Sequence, residues 1–259
     1  MGAADPIGFF DSGVGGLCVR DAVRALLPRE DTLYIADSAH CPYGNKPAEE
    51  IRALARGHVR TLLAEGCKLV VVACNTATAA AIDALRAEWP NVPFVGMEPA
   101  VKPAALRSKT GVVGVLATQG TFNGRLYRET RARFAKKTTV LAVVADEFVT
   151  LVERGELEGA RAEACVRAKV EPLLAASADH LVLGCTHFPH LAPLIARVAA
   201  GRATVVDPSA AVARQVRRLL AARNLLNPSG GARHVFIRTP NGPGAESGGG
   251  DLLTGSKGV

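Results

Sequence analysis

The chain is poor in aromatic residues, which fill 5% of its 259 positions. Its apolar residues are mostly Ala, Val and Leu, a composition suited to helices packed on a buried parallel sheet. No apolar run approaches the roughly 18 residues that a membrane span needs, so no membrane partner is expected. The opening residues, Met1 to Pro6, carry neither a basic region nor a long apolar stretch, so no signal peptide is expected. Pro6 stands where a myristoylation signal wants Ser or Thr, and a cytoplasmic protein is the expectation.

Paired cysteines are also missing. Cys18, Cys41, Cys67, Cys74, Cys165 and Cys185 form no C-x-x-C motif, and a chain of this length in a reducing compartment has no need of a disulfide scaffold. Cys18, Cys67 and Cys165 read as small buried hydrophobes. The glycine-rich stretch Asp11 to Gly16 follows an apolar strand, but Cys18 occupies the place of the third glycine of a dinucleotide fingerprint. The lysine of a phosphate-binding loop is absent as well. No lysine stands in a clear Schiff-base setting. No cofactor and no resident metal are expected.

The hydrophobic share is 48%, enough for a substantial core. Net charge is +7 and the isoelectric point about 9.3. The basic residues are dispersed at helical spacing, as in Arg52, Arg56 and Arg60 or Arg214, Arg217 and Arg218, which describes solvated helix faces. No nucleic-acid-binding motif or basic–aromatic platform accompanies them, so a nucleic-acid partner is not expected.

Strand and helix patterns alternate along the chain. Strands are expected at residues 7–10, 32–35, 69–73, 94–96, 112–116, 140–144, 181–184 and 204–206. Helices are expected at 47–64, 77–88, 120–135, 157–175 and 209–222. Such alternation predicts an α/β architecture with parallel sheets. A weak internal repeat accompanies it: Gly8 to Gly13 matches Gly114 to Gln119, Tyr34 to Asp37 matches Val143 to Asp146, and Cys74 matches Cys185. The near-constant offset predicts two similar α/β halves. A proline-rich connector at 93–103 divides them. The reading is a first domain of residues 1–98 with 208–226, a second of 99–207, and a Gly/Pro-rich, mostly disordered tail of 227–259 with one possible strand at 234–237.

Cys74 ends the run Leu69-Val-Val-Val-Ala and is followed by Asn75-Thr76. Cys185 ends Leu181-Val-Leu-Gly and is followed by Thr186-His187. Each segment reads strand, polar turn, helix, with a thiol beside a hydroxyl at the carboxyl end of the strand. Two thiols facing one pocket can take a proton from one side of a carbon and return one to the other. Ligands of open α/β sheets bind off the carboxyl ends of strands, where Asp11, Cys74, Thr118 and Cys185 all stand. Helix starts at Ser12, Asn75-Thr76 and Thr186 suit a substrate with more than one carboxylate, or else Ser12, Thr76 and Thr186 merely cap helices.

The stretches Phe10-Asp-Ser-Gly-Val-Gly-Gly16, Cys41-Pro-Tyr-Gly44, Ala73-Cys-Asn-Thr-Ala-Thr78, Val95-Gly-Met-Glu-Pro-Ala100, Phe148-Val-Thr-Leu-Val-Glu153 and Gly184-Cys-Thr-His187 resemble the glutamate racemases, within the cofactor-independent amino-acid racemase superfamily. The resemblance runs from about residue 7 to 222. It implies two Rossmann-like (doubly wound parallel sheet) domains facing each other across an active-site cleft, and a homodimer. It implies glutamate as the small-molecule substrate and D-glutamate supply for peptidoglycan synthesis. Cys74 and Cys185 would be the acid/base thiols, Cys74 acting on D-glutamate and Cys185 on L-glutamate. Asp11 would assist the first thiol, and His187, supported by Glu153, the second. Ser12, Pro42, Tyr43, Gly44, Asn75, Thr76, Thr118, Thr121 and Thr186 would hold the substrate's amino and carboxylate groups. A free thiol of pKa ~8.5 is only partly ionised at neutral pH, so neighbours must adjust it. One cysteine starts as thiolate and the other as thiol.

Two other chemistries fit parts of the sequence. A racemase for aspartate would use the same polar helix starts. Cys185, His187 and His190 form a C-x-H-x-x-H cluster of zinc-ligand type. A metal on Cys185 would silence its thiol, no fourth ligand is evident, and Pro189 predicts His190 to be an exposed helix residue.

Overall fold

The computed structural model describes residues 1–134, 137–229 and 232–240. In the first half, β1 (Ile7–Asp11), α1 (Leu17–Leu26), β2 (Thr32–Ala36), α2 (Ala48–Ala64), β3 (Leu69–Val72), α3 (Asn75–Glu88) and β4 (Phe94–Gly96) alternate. After α4 (Val101–Arg107), the second half runs β5 (Val112–Ala117), α5 (Gln119–Phe122), α6 (Arg125–Phe134), β6 (Thr139–Val144), α7 (Glu147–Glu153), α8 (Ala160–Ala175), β7 (His180–Gly184), α9 (Ala192–Ala199) and β8 (Thr204–Val206). The helix α10 (Ser209–Ala222) and the strand β9 (His234–Arg238) follow, and α10 packs on α1.

The strands form two parallel sheets, ordered β4-β3-β1-β2-β9 and β6-β5-β7-β8. Without β9 the two share one winding. The first strand of each half is central, the second lies on one side of it, and the third and fourth lie on the other. β1 therefore corresponds to β5, β2 to β6 and β3 to β7, the same pairs that the sequence repeat links. In doubly wound sheets the connections leave neighbouring central strands toward opposite faces, which opens a crevice at that point. Here the crevices lie past β1 and β3 in one half and past β5 and β7 in the other.

Burial on both faces explains the near-continuous Val, Leu and Ile of these strands. Phe9 packs in one core with Ile7, Tyr34 and Val71, while Phe10 faces the other with Val70, Val72, Ile51 and Leu62. The first of these cores continues into the second half through Leu116, Phe148, Leu181 and Phe188, so the halves meet over apolar surface. Among the described residues, no helix is long and apolar enough to cross a membrane.

Three expectations need correction. The helix expected over 120–135 is two, α5 and α6, separated at Asn123 and Gly124, both poor helix formers. The helix expected from 157 starts at Ala160, and α7 precedes it. The third concerns the tail, whose possible strand at 234–237 is present and one residue longer: residues 234–238 pair in parallel with β2, from Thr32 opposite His234 to Ala36 opposite Arg238. Phe236 stacks on Tyr34 at 5.6 Å between ring centroids, and the Thr32 hydroxyl lies 2.9 Å from His234 Nδ1. These contacts cover an edge that β2 would otherwise leave open. The disorder expected for 241–259 falls outside the described residues.

Candidate active site

Asp11, the last residue of β1, is fully buried. Its Oδ1 accepts the Ser12 N–H at 2.8 Å, and its Oδ2 accepts the Gly16 N–H at 2.6 Å and the Thr186 hydroxyl at 3.2 Å. That carboxyl thus joins the end of β1 to the loop after β7. Burial pushes it above the usual carboxylate range, against the pull of the His187 charge and of the Gly16 N–H.

Cys74 follows β3 in an extended conformation and caps α3: its Sγ accepts the Ala77 N–H at 3.4 Å. The Ser12 hydroxyl is 3.8 Å from the sulfur. A helix start favours negative charge at that sulfur. Burial nevertheless pushes the Cys74 thiol well above its ordinary value, and the Asp11 and Cys185 charges add to the rise. Cys74 therefore carries its proton in this state.

Cys185 follows β7 and is equally enclosed, with its Sγ 3.8 Å from His187 Nδ1. The other nitrogen, Nε2, lies 2.6 Å from Glu153 Oε1 at the end of α7. That oxygen also accepts the Val14 N–H at 3.0 Å, which ties the pair to the glycine-rich loop after β1. The loop needs its glycines for this approach. A Cβ at Gly13 would sit 2.1 Å from Glu153 Oε1, and one at Gly15 2.5 Å from His187 Nδ1. Burial alone would strip the imidazole of its extra proton. Contacts with Cys185, Cys41 and Glu153 outweigh it and hold His187 protonated well above its ordinary range. For Glu153, burial is likewise outweighed by His187 and the Val14 N–H, and the carboxyl lies below its usual range.

A third group is made of hydroxyls. Thr118 caps α5, and its Oγ1 lies 2.8 Å from Thr76 Oγ1 and 3.0 Å from Thr121 Oγ1, all buried. The Thr76–Thr118 pair spans the two halves. Asn75 is buried with both polar side-chain atoms unpartnered, which marks an amide that a ligand would satisfy.

A sequence profile described as Asp/Glu/Hydantoin racemase matches residues 18–216. The chain belongs to that family. It is 52% identical over 223 residues to the glutamate racemase of Herpetosiphon aurantiacus, which covers 86% of this chain and 87% of the relative. The Escherichia coli glutamate racemase, solved in complex with L-glutamate and the activator UDP-MurNAc-Ala, superposes with a TM-score of 0.80 at 34% identity, covering 93% of this chain and 91% of the other. The Francisella tularensis glutamate racemase in complex with D-glutamate gives 0.81 at 28% identity, covering 93% and 90%. As a member of this family the chain is a cofactor-independent racemase, an isomerase.

In this racemase Ser12, Thr76 and Thr186 are not helix caps; Cys74 and Thr118 take that role, and the three hydroxyls bond to Asp11, Thr118 and Asp11 in turn. The Tyr43 hydroxyl donates to Asp37 Oδ2 at 2.5 Å. The segment Pro42-Tyr43-Gly44 is left with its backbone for a ligand, and Gly44 lies against Thr118. Asp37 went unassigned in the sequence, although the repeat had singled it out with Asp146. It also binds His40 Nδ1 at 2.8 Å and lies 3.0 Å from His58 Nε2. His58, Tyr43 and His40 outweigh burial and hold its carboxyl well below the usual range. Arg238 of β9 was missed as well; it lies 3.9 Å from Glu153 Oε2. His190 is half-buried on a short 3-10 turn rather than exposed, with Nε2 3.4 Å from the Gly15 carbonyl.

Proposed function

We propose that this racemase interconverts L- and D-glutamate by proton exchange between Cα and the thiols of Cys74 and Cys185. One observation carries the reading: the two sulfurs stand at equivalent positions past β3 and β7, on the switch-point crevices of two halves with the same winding. The names of the relatives, and their complexes with either enantiomer, support glutamate as substrate.

The thiolate of Cys185 takes the α-proton of L-glutamate, leaving a carbanion. The thiol of Cys74 gives its proton to the opposite face, and D-glutamate departs. Cys74 is then the thiolate and Cys185 the thiol, and the reverse reaction starts from that state. The imidazolium of His187, held by Glu153, offsets charge on the Cys185 sulfur. The start of α3 and the Ser12 hydroxyl do so for Cys74, and Asp11 orients the loop that carries Ser12. Asn75, Thr76, Thr118, Thr121, Thr186 and the backbone of Pro42, Tyr43 and Gly44 hold the ammonium and carboxylates. Such fixed dipoles act strongly in a dry site and also stabilise the carbanion. The same reading makes 1–98 with 208–226 and 99–207 the two catalytic domains, in a cytoplasmic homodimer supplying D-glutamate for peptidoglycan.

Incubation with L-glutamate in D2O without added cofactor tests it. Optical rotation falls to zero as deuterium enters at Cα. Folded protein that leaves both rotation and Cα–H intact overturns the proposal, and faster turnover of aspartate replaces its substrate. His187→Asn slows proton abstraction from L-glutamate by about 10² or more, and from D-glutamate less. Equal slowing of initial abstraction from both enantiomers removes His187 from its place beside one thiol.

A further inference from the structure

We propose that Cys41, Glu153 and His187 form a binding site for a borderline-soft divalent cation such as Zn2+, which clamps the two halves together and blocks proton transfer at Cys185. Its effect on activity rests on the proposed function; the binding does not.

The three side chains each offer one ligand atom, and these atoms all lie within 4.8 Å of one another. Zn–S and Zn–N/O bonds of about 2.3 and 2.0–2.1 Å place tetrahedral donors roughly 3.3–3.6 Å apart, so the wider separations close and the 2.6 Å between His187 Nε2 and Glu153 Oε1 opens by roughly 0.7 Å. Cys41 belongs to the loop between β2 and α2, where it is partly buried and packs against the core. Glu153 and His187 belong to the second half and are already joined at 2.6 Å. The Val14 N–H on Glu153 Oε1 is an outer contact of the kind that orients a metal ligand.

The donor set decides the class of ion. A thiolate, an imidazole and a carboxylate favour Zn2+ over the oxygen-seeking Mg2+ and Ca2+. A thiolate and a carboxylate also balance a 2+ charge. Cys41 and Glu153 are only partly buried, and three protein ligands leave a tetrahedral ion one position for water. This site differs from the Cys185, His187 and His190 cluster of the sequence, because His190 turns to Gly15.

The consequence follows from His187. Its Nδ1 lies 3.8 Å from the Cys185 sulfur, so a cation held on this ring sits beside that thiol and competes for its charge. The Cys185 thiolate loses that partner, and the loop of the first half is tied to α7 and the β7 loop of the second.

Cobalt serves as a spectroscopic stand-in for zinc. Co2+ added to the intact chain produces a thiolate charge-transfer band in the near ultraviolet, which Zn2+ displaces. The band survives Cys185→Ser and disappears in Cys41→Ser; Glu153→Gln, read by Co2+ titration alone, weakens binding if Cys41→Ser fails to fold. In the racemisation assay Zn2+ inhibits, Mg2+ does not, and EDTA restores the rate. The Zn2+ inhibition constant rises at least about tenfold in Cys41→Ser, measured against that variant's own metal-free rate. A band lost with Cys185→Ser but kept in Cys41→Ser overturns the site, as does the absence of any band at saturating Co2+. A band with the expected variant pattern in a protein that does not racemise glutamate leaves the metal site standing and removes only the proposed function.

Discussion

Alanine at Cys74 or at Cys185 abolishes racemisation in both directions, by about 10³-fold or more for each. On the proposed two-thiol mechanism both directions fail, because each thiol is the acid for one direction and the base for the other. The loss is chemical, not structural. At Cys74 the substitution removes a sulfur acceptor from the first turn of α3, where a lost cap costs about 1 kcal/mol. Thermal unfolding of both variants should therefore stay near that of the parent while the rate collapses. Cys165 is half-exposed on α8, outside the cleft, and Cys165→Ala leaves the rate unchanged. Near-normal turnover in either Cys74→Ala or Cys185→Ala refutes the two-thiol mechanism.

Lys68→Met destabilises the fold by about 3–5 kcal/mol. Lys68 Nζ lies 2.5 Å from Glu30 Oε2, with the side chains 0% and 2% exposed, so removal of the lysine strands a carboxylate out of reach of water. At roughly 2–4 °C per kcal/mol for a domain of this size, the unfolding midpoint falls by about 6–20 °C. The double variant Lys68→Met/Glu30→Leu recovers most of the loss, because it removes both charges instead of orphaning one. The pair also ties the first residues to the segment before β9: Nζ donates to the Ala3 carbonyl, and Glu30 Oε1 accepts the Asn227 N–H at 2.9 Å. Asn227 leads into β9, whose Arg238, with the following Thr239, reaches Glu153 and Asp37. Loosening this anchor should lower activity before it unfolds the protein. Urea unfolding that places Lys68→Met within about 1 kcal/mol of the parent overturns the account.

Much of this architecture was legible because parallel strands buried on both faces write themselves as unbroken Val, Leu and Ile runs. Leu69 to Val72 and His180 to Gly184 are of that kind, each ending in a small residue, a thiol and a hydroxyl. The repeat was weak at each match yet linked the strands that occupy equivalent places in the two sheets. β9 was legible only as a short possible strand within a glycine-rich tail, and its partners, the Tyr34 ring and the open edge of β2, come from tertiary structure. Local pattern also could not reveal that Tyr43 uses its hydroxyl on Asp37, or that His190 turns toward Gly15, since both partners arrive through folding.

The sequence by itself determined the alternation of strand and helix in two α/β halves and the residues at the carboxyl ends of their strands, because periodicity and strand termini are local properties of the chain. Tertiary structure alone decided which of those residues meet. Asp11 bonds to Thr186, Val14 to Glu153 and Thr76 to Thr118 only when the halves close over one another. The protonation of Cys74 and His187 was decided there too, because burial and neighbouring charge are properties of the assembled cleft and not of the residues that line it.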